Sequence, residues 1–382
     1  MTLLHNDASR ARDWLFKTAL PLWLEGAGFD PATGLFAERL DAQGRSLPLN
    51  RRVRVQARQA YVCAEAAALG WTGNWREPLE AAVATLTGKG RRSDGAFVHM
   101  LSPNGAVIDD RADLYDHAFG QFALAKAAVA LDQPDLLEVI EEGWGWLDSR
   151  WSHPAGGYRE GEIVSADMRR QNPHMHLFEA ALALHDAFPG STGLERSRGF
   201  AKLFMERFFD TESYALPEYF DAEWSPLPGE PGRVTEPGHQ FEWAWLLRTY
   251  ADVSGDTSVL TVATRLVGHG RQHGVDAARG VAINEVEIDG SVISAAARLW
   301  PQTERLKAAV SGLPFDRVAE TREASAALDG LFLYLDKPGP GLWRDMQQPD
   351  GRFDEEASPA SSLYHIVCAI GELCRAAQAQ PR

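Results

Sequence analysis

Six helical hairpins closed into a ring, an all-α (α/α)6 toroid, is the fold this sequence predicts, and three observations predict it. Apolar residues recur at helical period in twelve segments of the 382-residue chain. The segments come in pairs, joined by short glycine- and aromatic-rich stretches that recur at nearly constant spacing. The helix after each stretch then opens on an unusual polar residue, again at nearly constant spacing.

The helical segments cover about 8–27, 53–70, 75–89, 112–130, 134–150, 172–187, 192–208, 237–253, 256–271, 295–312, 316–335 and 359–378. Within the pairs lie Gly34-Leu-Phe-Ala-Glu, Gly95-Ala-Phe-Val-His, Gly157-Tyr-Arg-Glu, Gly280-Val-Ala-Ile-Asn and Gly341-Leu-Trp-Arg-Asp. Their glycines are 61, 62, 123 and 61 residues apart, the third interval spanning two repeats. The remaining stretch, Tyr214-Ala-Leu-Pro-Glu, keeps an aromatic residue and lacks the glycine. Each has the composition of a tight hairpin. The polar series is Arg58, Asp116, His176, His239, Gln302 and His365, at intervals of 58, 60, 63, 63 and 63 residues. A fixed period marks a repeated supersecondary unit. No terminal unit has the polar outer face that the end of an open solenoid needs, so closure is favoured. In a closed ring the six inner helices run the same way. Their N-terminal ends, walled by short β-hairpins, then bring the polar series together at one mouth. Helix caps are ordinarily Ser, Thr, Asp or Asn, whereas this series supplies His and Arg, which points to a shared site.

No Pro/Ser-rich linker or like-charge run divides the chain, so residues 1–382 are expected to form one domain. The net charge of −15 argues against nucleic acid and anionic membrane as partners. No apolar run is long enough to span a bilayer, and no signal peptide is visible at the start. Cys63, Cys368 and Cys374 lie in apolar helical patterns without metal-type spacing, as reduced core residues of a cytoplasmic protein would. Thr87-Gly-Lys-Gly-Arg lacks Walker spacing and no dinucleotide fingerprint occurs, so no cofactor is expected.

His239 and Glu242, three apart at a helix start, share a face. With His365, His176, Arg58 and Glu304, and with Trp243, Trp300, Tyr115 and Phe119, they are expected to line one pocket. Aromatic faces with a few fixed polar groups suit a sugar. Two imidazoles can take and return a proton near neutral pH, and an arginine opposite them can stabilise an oxyanion. This combination fits proton abstraction beside a carbonyl. Glycoside hydrolysis needs two opposed acids, for which Asp116 and Glu304 are the candidates. A non-catalytic binding protein is the third alternative. His174 and His176 are two apart and point different ways, so one of them is structural. Arg54 shares a helix face with Arg58 and is a candidate for an anionic group. No third residue has metal-ligand spacing.

The chain resembles the N-acylglucosamine 2-epimerase superfamily, which includes cellobiose and mannose 2-epimerases and mannose isomerases. The resemblance rests on Arg52-Val-Arg-Val-Gln-Ala-Arg58, Asp113-Leu-Tyr-Asp-His-Ala-Phe119, Asn172-Pro-His-Met-His-Leu-Phe-Glu-Ala180, Pro237-Gly-His-Gln-Phe-Glu242, Leu299-Trp-Pro-Gln-Thr-Glu304 and Tyr364-His365. It implies an (α/α)6 barrel and a metal-independent reaction on a monosaccharide, with His239 and His365 as acid/base catalysts. It also implies Arg58 on the substrate oxygens, Glu242 beside His239, and His176 with Asn172 beside the sugar; Tyr115, Asp116, Trp300, Glu304 and Arg54 are further candidates for binding it from their own positions in the sequence. His365 would remove the C2 proton to give a cis-enediolate. Protonation at C1 yields a ketose, and protonation at C2 from the other face, by His239, yields the 2-epimer. The short Pro-His-Met-His and Leu-Trp-Pro-Gln-Thr-Glu forms look most like the mannose isomerase branch. The expected activity is therefore interconversion of D-mannose and D-fructose, with epimerisation of mannose/glucose or of N-acyl sugars as the alternative. Monomer and homodimer are both open.

Overall fold

The computed structural model describes residues 2–164 and 168–379. Twelve α-helices among these residues alternate between two rings. The outer ring holds α1 (Leu3–Trp14), α3 (Arg76–Thr87), α5 (Leu136–Arg150), α7 (Gly193–Leu203), α9 (Leu260–Gly274) and α11 (Arg317–Phe332). The inner ring holds α2 (Val53–Ala68), α4 (Leu114–Leu131), α6 (Gln171–Ala187), α8 (Pro237–Ser254), α10 (Trp300–Gly312) and α12 (Ser361–Gln378). Each inner helix packs on the next and α12 packs back on α2, so the ring is closed. Ser358–Pro359 also pairs antiparallel with Arg39–Leu40, which joins the last repeat to the first.

Composition decides which helix goes inside. Thirteen residues of the 16-residue α2 are buried, against six of the 12 in α3. A helix buried on nearly every side belongs in the interior, and one with a single apolar stripe belongs outside. α1 and α7 run on into π-helical turns at Leu15–Ala19, Pro21–Glu25 and Phe204–Phe208, which accounts for the longer first and seventh segments expected from periodicity. Residues 295–299 differ from expectation. Ala297–Arg298 is a strand paired with Met346–Gln347, and α10 starts only at Trp300, where Pro301 suits the first turn because its missing N–H would have no partner there.

The glycines of the hairpin stretches are structural. Gly34, Gly95, Gly280 and Gly341 all have left-handed φ, at 68°, 96°, 72° and 73°. Tyr214 occupies the equivalent place in the fourth repeat and adopts the same conformation, with φ 59°. A bulky residue is strained there.

Candidate active site

A second polar series, which periodicity did not single out, comes from the hairpins. Each stretch ends in a polar residue: Glu38, His99, Glu160, Glu218, Asn284 and Asp345. These are 61, 61, 58, 66 and 61 residues apart. Two residues before several of them, the strand backbone is gripped by a side chain from the following inner helix. Gln56 holds the N–H and C=O of Phe36 (2.8 and 3.1 Å), and Gln302 does the same to Ala282 (2.7 and 2.8 Å). His174 accepts from the Tyr158 N–H at 2.9 Å, and His117 from that of Phe97 at 3.4 Å. His174 and His117 are therefore structural, and burial depresses both to about 3. Gln302, expected at the mouth, is likewise occupied in holding the fold.

Fixed in this way, the hairpin-end residues reach the inner-helix starts. Five inner helices have no side-chain cap, so their first-turn N–H groups and positive dipole ends converge on the mouth. A cavity of about 240 Å³ lies there, lined by Arg58, Tyr115, Asn172, His176, Glu236, His239, Glu242, Arg298, Trp300, Asp345, Ser361, Ser362 and His365. Two larger cavities, about 490 and 720 Å³, lie elsewhere, and neither is lined by His239, His365 or Arg58.

Both candidate catalytic histidines are oriented through Nδ1 by a buried carboxylate, which leaves Nε2 for the cavity. His239 Nδ1 lies 2.9 Å from each Glu218 oxygen and 4.0 Å from Glu236. Burial disfavours its charge, but the Glu218 and Glu236 carboxylates outweigh burial and hold it at about 9. His365 Nδ1 lies 2.9 Å from Glu304 Oε1. Here burial, with Arg58 and Lys307 nearby, pushes the imidazole well below its ordinary value of 6.5. The surroundings thus favour the charged ring at His239 and the neutral ring at His365, the division an acid/base pair would need. The Trp300 indole lies beside both, with ring centroids 4.9 Å from His239 and 5.7 Å from His365. Gly238 makes room for it: a Cβ there would fall 2.4 Å from the indole.

Elsewhere on the cavity wall, Arg58 Nη2 donates to Tyr115 Oη at 2.8 Å, and that oxygen lies 3.2 Å from His176 Nε2. The guanidinium sits 4.2 Å over the Phe119 ring. His176 Nδ1 meets Glu179 at 3.0 Å, and burial lowers its pKa to about 3, so it stays neutral. Among the described residues, Asn172 Oδ1, both oxygens of Glu242 and Arg58 Nε are polar atoms of the lining residues without a hydrogen-bond partner. Buried orphans of this kind on a cavity wall are what a polyhydroxylated ligand would satisfy.

Five expected pocket residues lie outside the cavity: Phe119, whose ring lies under the Arg58 guanidinium, and four others. Asp116 is fully buried, accepting from Arg54 at 3.3 Å and facing His99 at 2.7 Å, so Asp116 and Arg54 hold each other behind Tyr115. Glu304 lies beneath His365 and meets Lys307 Nζ at 2.6 Å. Trp243 points into the outer packing, stacked on Phe204 and donating to Gln171. Asp116 and Glu304, the two acids that hydrolysis would need, thus do not face the cavity. His239 and Glu242 share the cavity wall as expected, yet the partner of His239 is Glu218.

Sequence reasoning missed Glu218, Glu236, Arg298, Asp345 and the fully buried Lys307, whose Nζ sits between Glu304 and Glu242 (3.6 Å) and 3.8 Å from the centre of the Trp245 ring. Among the described residues, three groups of His and carboxylate atoms lie within 4.8 Å of one another: His176/Glu179/Glu242, Glu218/Glu236/His239 and Glu242/Glu304/His365. In the last, the Lys307 ammonium already stands against both carboxylates.

Fold and site together define an (α/α)6 toroid with a histidine-lined pocket at the inner-helix mouth. The chain belongs to the N-acylglucosamine 2-epimerase (GlcNAc 2-epimerase) family, whose profile matches residues 34–369. It is 39% identical over 378 residues to a mannose-6-phosphate isomerase of Rhizobium meliloti (strain 1021), covering 97% of each chain. Among solved structures it superposes on cellobiose 2-epimerase from Bacillus thermoamylovorans B4167 with a TM-score of 0.87 at 18% identity, covering 96% of this chain and 98% of that one. It superposes on a D-mannose isomerase with a TM-score of 0.84 at 20% identity, covering 97% of each. The two superpositions establish the fold.

Proposed function

We propose that the protein is an aldose–ketose isomerase interconverting D-mannose, or a closely related aldose, with D-fructose. The observation that carries this is the pair of cavity histidines in unlike surroundings, His239 against the Glu218 carboxylate and His365 against a Glu304 that Lys307 also meets. With the sugar open, His365 Nε2 takes the proton from C2. The C–H electron pair becomes the C1=C2 bond, and the carbonyl pair moves onto O1 to give the cis-enediolate. Arg58, with the converging helix ends, faces the developing charge. Return of that proton from His365 to C1, with transfer of the O2 proton to O1, gives the ketose. His239, charged at neutral pH, is the acid that assists ring opening. Asn172, Glu242, His176 and Tyr115 hold hydroxyls, and Trp300 covers an apolar face of the sugar. The relative of near-full-length match is named a mannose-6-phosphate isomerase, which supports the aldose–ketose reaction class and leaves the choice between free and phosphorylated sugar to the cavity.

Epimerisation at C2 is the second reading. It is favoured by one observation: a charged His239 across Trp300 from His365 could protonate C2 from the opposite face. NMR of mannose incubated with the enzyme in D₂O separates the two. Fructose appearing first supports the isomerase. Glucose with deuterium at C2 and little fructose contradicts it in favour of the epimerase.

A further inference from the structure

Three repeats place an arginine at the same point, the second residue of the short strand entering an inner helix: Arg52, Arg170 and Arg298. In each, the backbone N–H of the arginine is accepted by the residue that ends the preceding hairpin, Glu38 (3.2 Å), Glu160 (2.8 Å) or Asn284 (2.8 Å). In the first two, the same carboxylate also takes the arginine side chain: Arg52 Nε donates to Glu38, and Arg170 Nε to Glu160 at 2.9 Å. In the third, the carboxylate is replaced by a neutral amide, whose nitrogen turns to Met346 Sδ at 3.6 Å. Among the described residues the Arg298 guanidinium has no hydrogen bond or ion pair. Of the three arginines it alone lines the cavity.

Its charged neighbours on that wall are Glu236 and Asp345. Burial raises both carboxyls, and Arg298 draws both back down. Asp345 gives one oxygen to Ser362 at 2.8 Å, and Glu236 comes no closer than 4.0 Å to His239. A cation beside two carboxylates with unused acceptor capacity can both donate to and accept from the same hydroxyl. A neutral polyol satisfies such a wall. A phosphate ester brings acceptors only, and further negative charge towards two carboxylates.

We propose that Arg298, released by Asn284 from the ion pair its repeat-equivalents make, is a specificity-determining residue that binds hydroxyl oxygens of a neutral aldose together with Glu236 and Asp345, and selects it over the phosphate ester. This rests on the isomerase reading of the same cavity.

The test is Asn284→Glu, which supplies the carboxylate that captures the arginine in the first and third repeats, alongside Arg298→Met. Steady-state kinetics on D-mannose and on mannose 6-phosphate would be joined by calorimetric titration of D-mannose, with melting curves to verify folding. A charge-assisted hydrogen bond lost from uniform binding should raise KM and Kd for mannose roughly 10- to 100-fold in both variants, with kcat within about threefold. The wild type should favour mannose over its 6-phosphate in kcat/KM. Unchanged KM and Kd in both folded variants, or a wild-type preference for the phosphate, would overturn the proposal. A fall in kcat at unchanged KM would also overturn it, by assigning Arg298 to the transition state. If the wild type forms no ketose from either sugar, the isomerase reading fails by itself, and the mannose titration still decides whether Arg298 binds the sugar.

Discussion

At His239, Nδ1 faces both oxygens of Glu218, a carboxylate whose other partners, Gln171 and the Glu236 N–H, are neutral. At His365 the corresponding carboxylate, Glu304, is met on its far oxygen by Lys307. An uncompensated carboxylate holds a proton on the first ring, and a compensated one leaves the second ring neutral in its buried setting. In the proposed mechanism this difference, rather than the two imidazoles as such, divides acid from base. His365→Ala and His239→Ala should each lower kcat by roughly 10²–10⁴. Arg58→Ala, which removes the charge facing the enediolate, should cost on the order of 10²–10³. Rates of ketose formation measured on variants with wild-type melting curves check all three, and wild-type turnover in either histidine variant would contradict the assignment.

At the scale of the element, α10 carries the charge balance of the barrel axis. Glu304 and Lys307, one turn apart, both point inward and are fully buried, and Lys307 also faces Glu242. Lys307→Met leaves two buried carboxylates without their cation and should destabilise the fold by about 3–5 kcal/mol. Urea unfolding measures this. Combining Lys307→Met with Glu304→Gln should cost clearly less than the sum of the two single changes, because the second removes a charge that the first left unpaired. Simple additivity would refute the pairing. The sequence pointed to Glu304 but not to Lys307, because a lysine one helical turn after a glutamate ordinarily lies on a solvated face. The repeat that predicted the inner helix starts was legible, because a period survives without knowing any contact. The hairpin-end residues shared that period and were passed over. Their role is a contact between elements, Glu218 to His239 or Glu38 to Arg52, that spacing along one element cannot express. Asp116 failed as a pocket residue for the same reason, since its partners Arg54 and His99 come from a different helix and a hairpin.

At the scale of the whole molecule, ring closure makes the site. His365 reaches the cavity only because α12 packs back on α2, and Arg58 of α2 donates to the Ser361 carbonyl at the start of α12. Ending the chain after Pro359 removes an inner helix buried on most sides and exposes the flanks of α2 and α10. Such a truncation should lose cooperative thermal unfolding as followed by circular dichroism, and a sharp transition near the wild-type Tm would argue against closure as the source of stability. Among the described residues no helix is long and apolar enough to cross a membrane, and Cys63, Cys368 and Cys374 are buried free thiols.

The pH dependence of kcat/KM for mannose isomerisation tests the division of labour most directly. The base must be unprotonated, and His365 is depressed well below 6.5, so activity should already be on its plateau at neutral pH. The acid must be protonated, and His239 is held at about 9, so activity should fall only as pH rises through that value. Glu218→Gln, which removes the carboxylate that charges His239, should move this alkaline limb down towards neutrality and leave the acid limb in place. An alkaline limb unmoved by Glu218→Gln, or a wild-type profile falling through pH 7, would contradict the account.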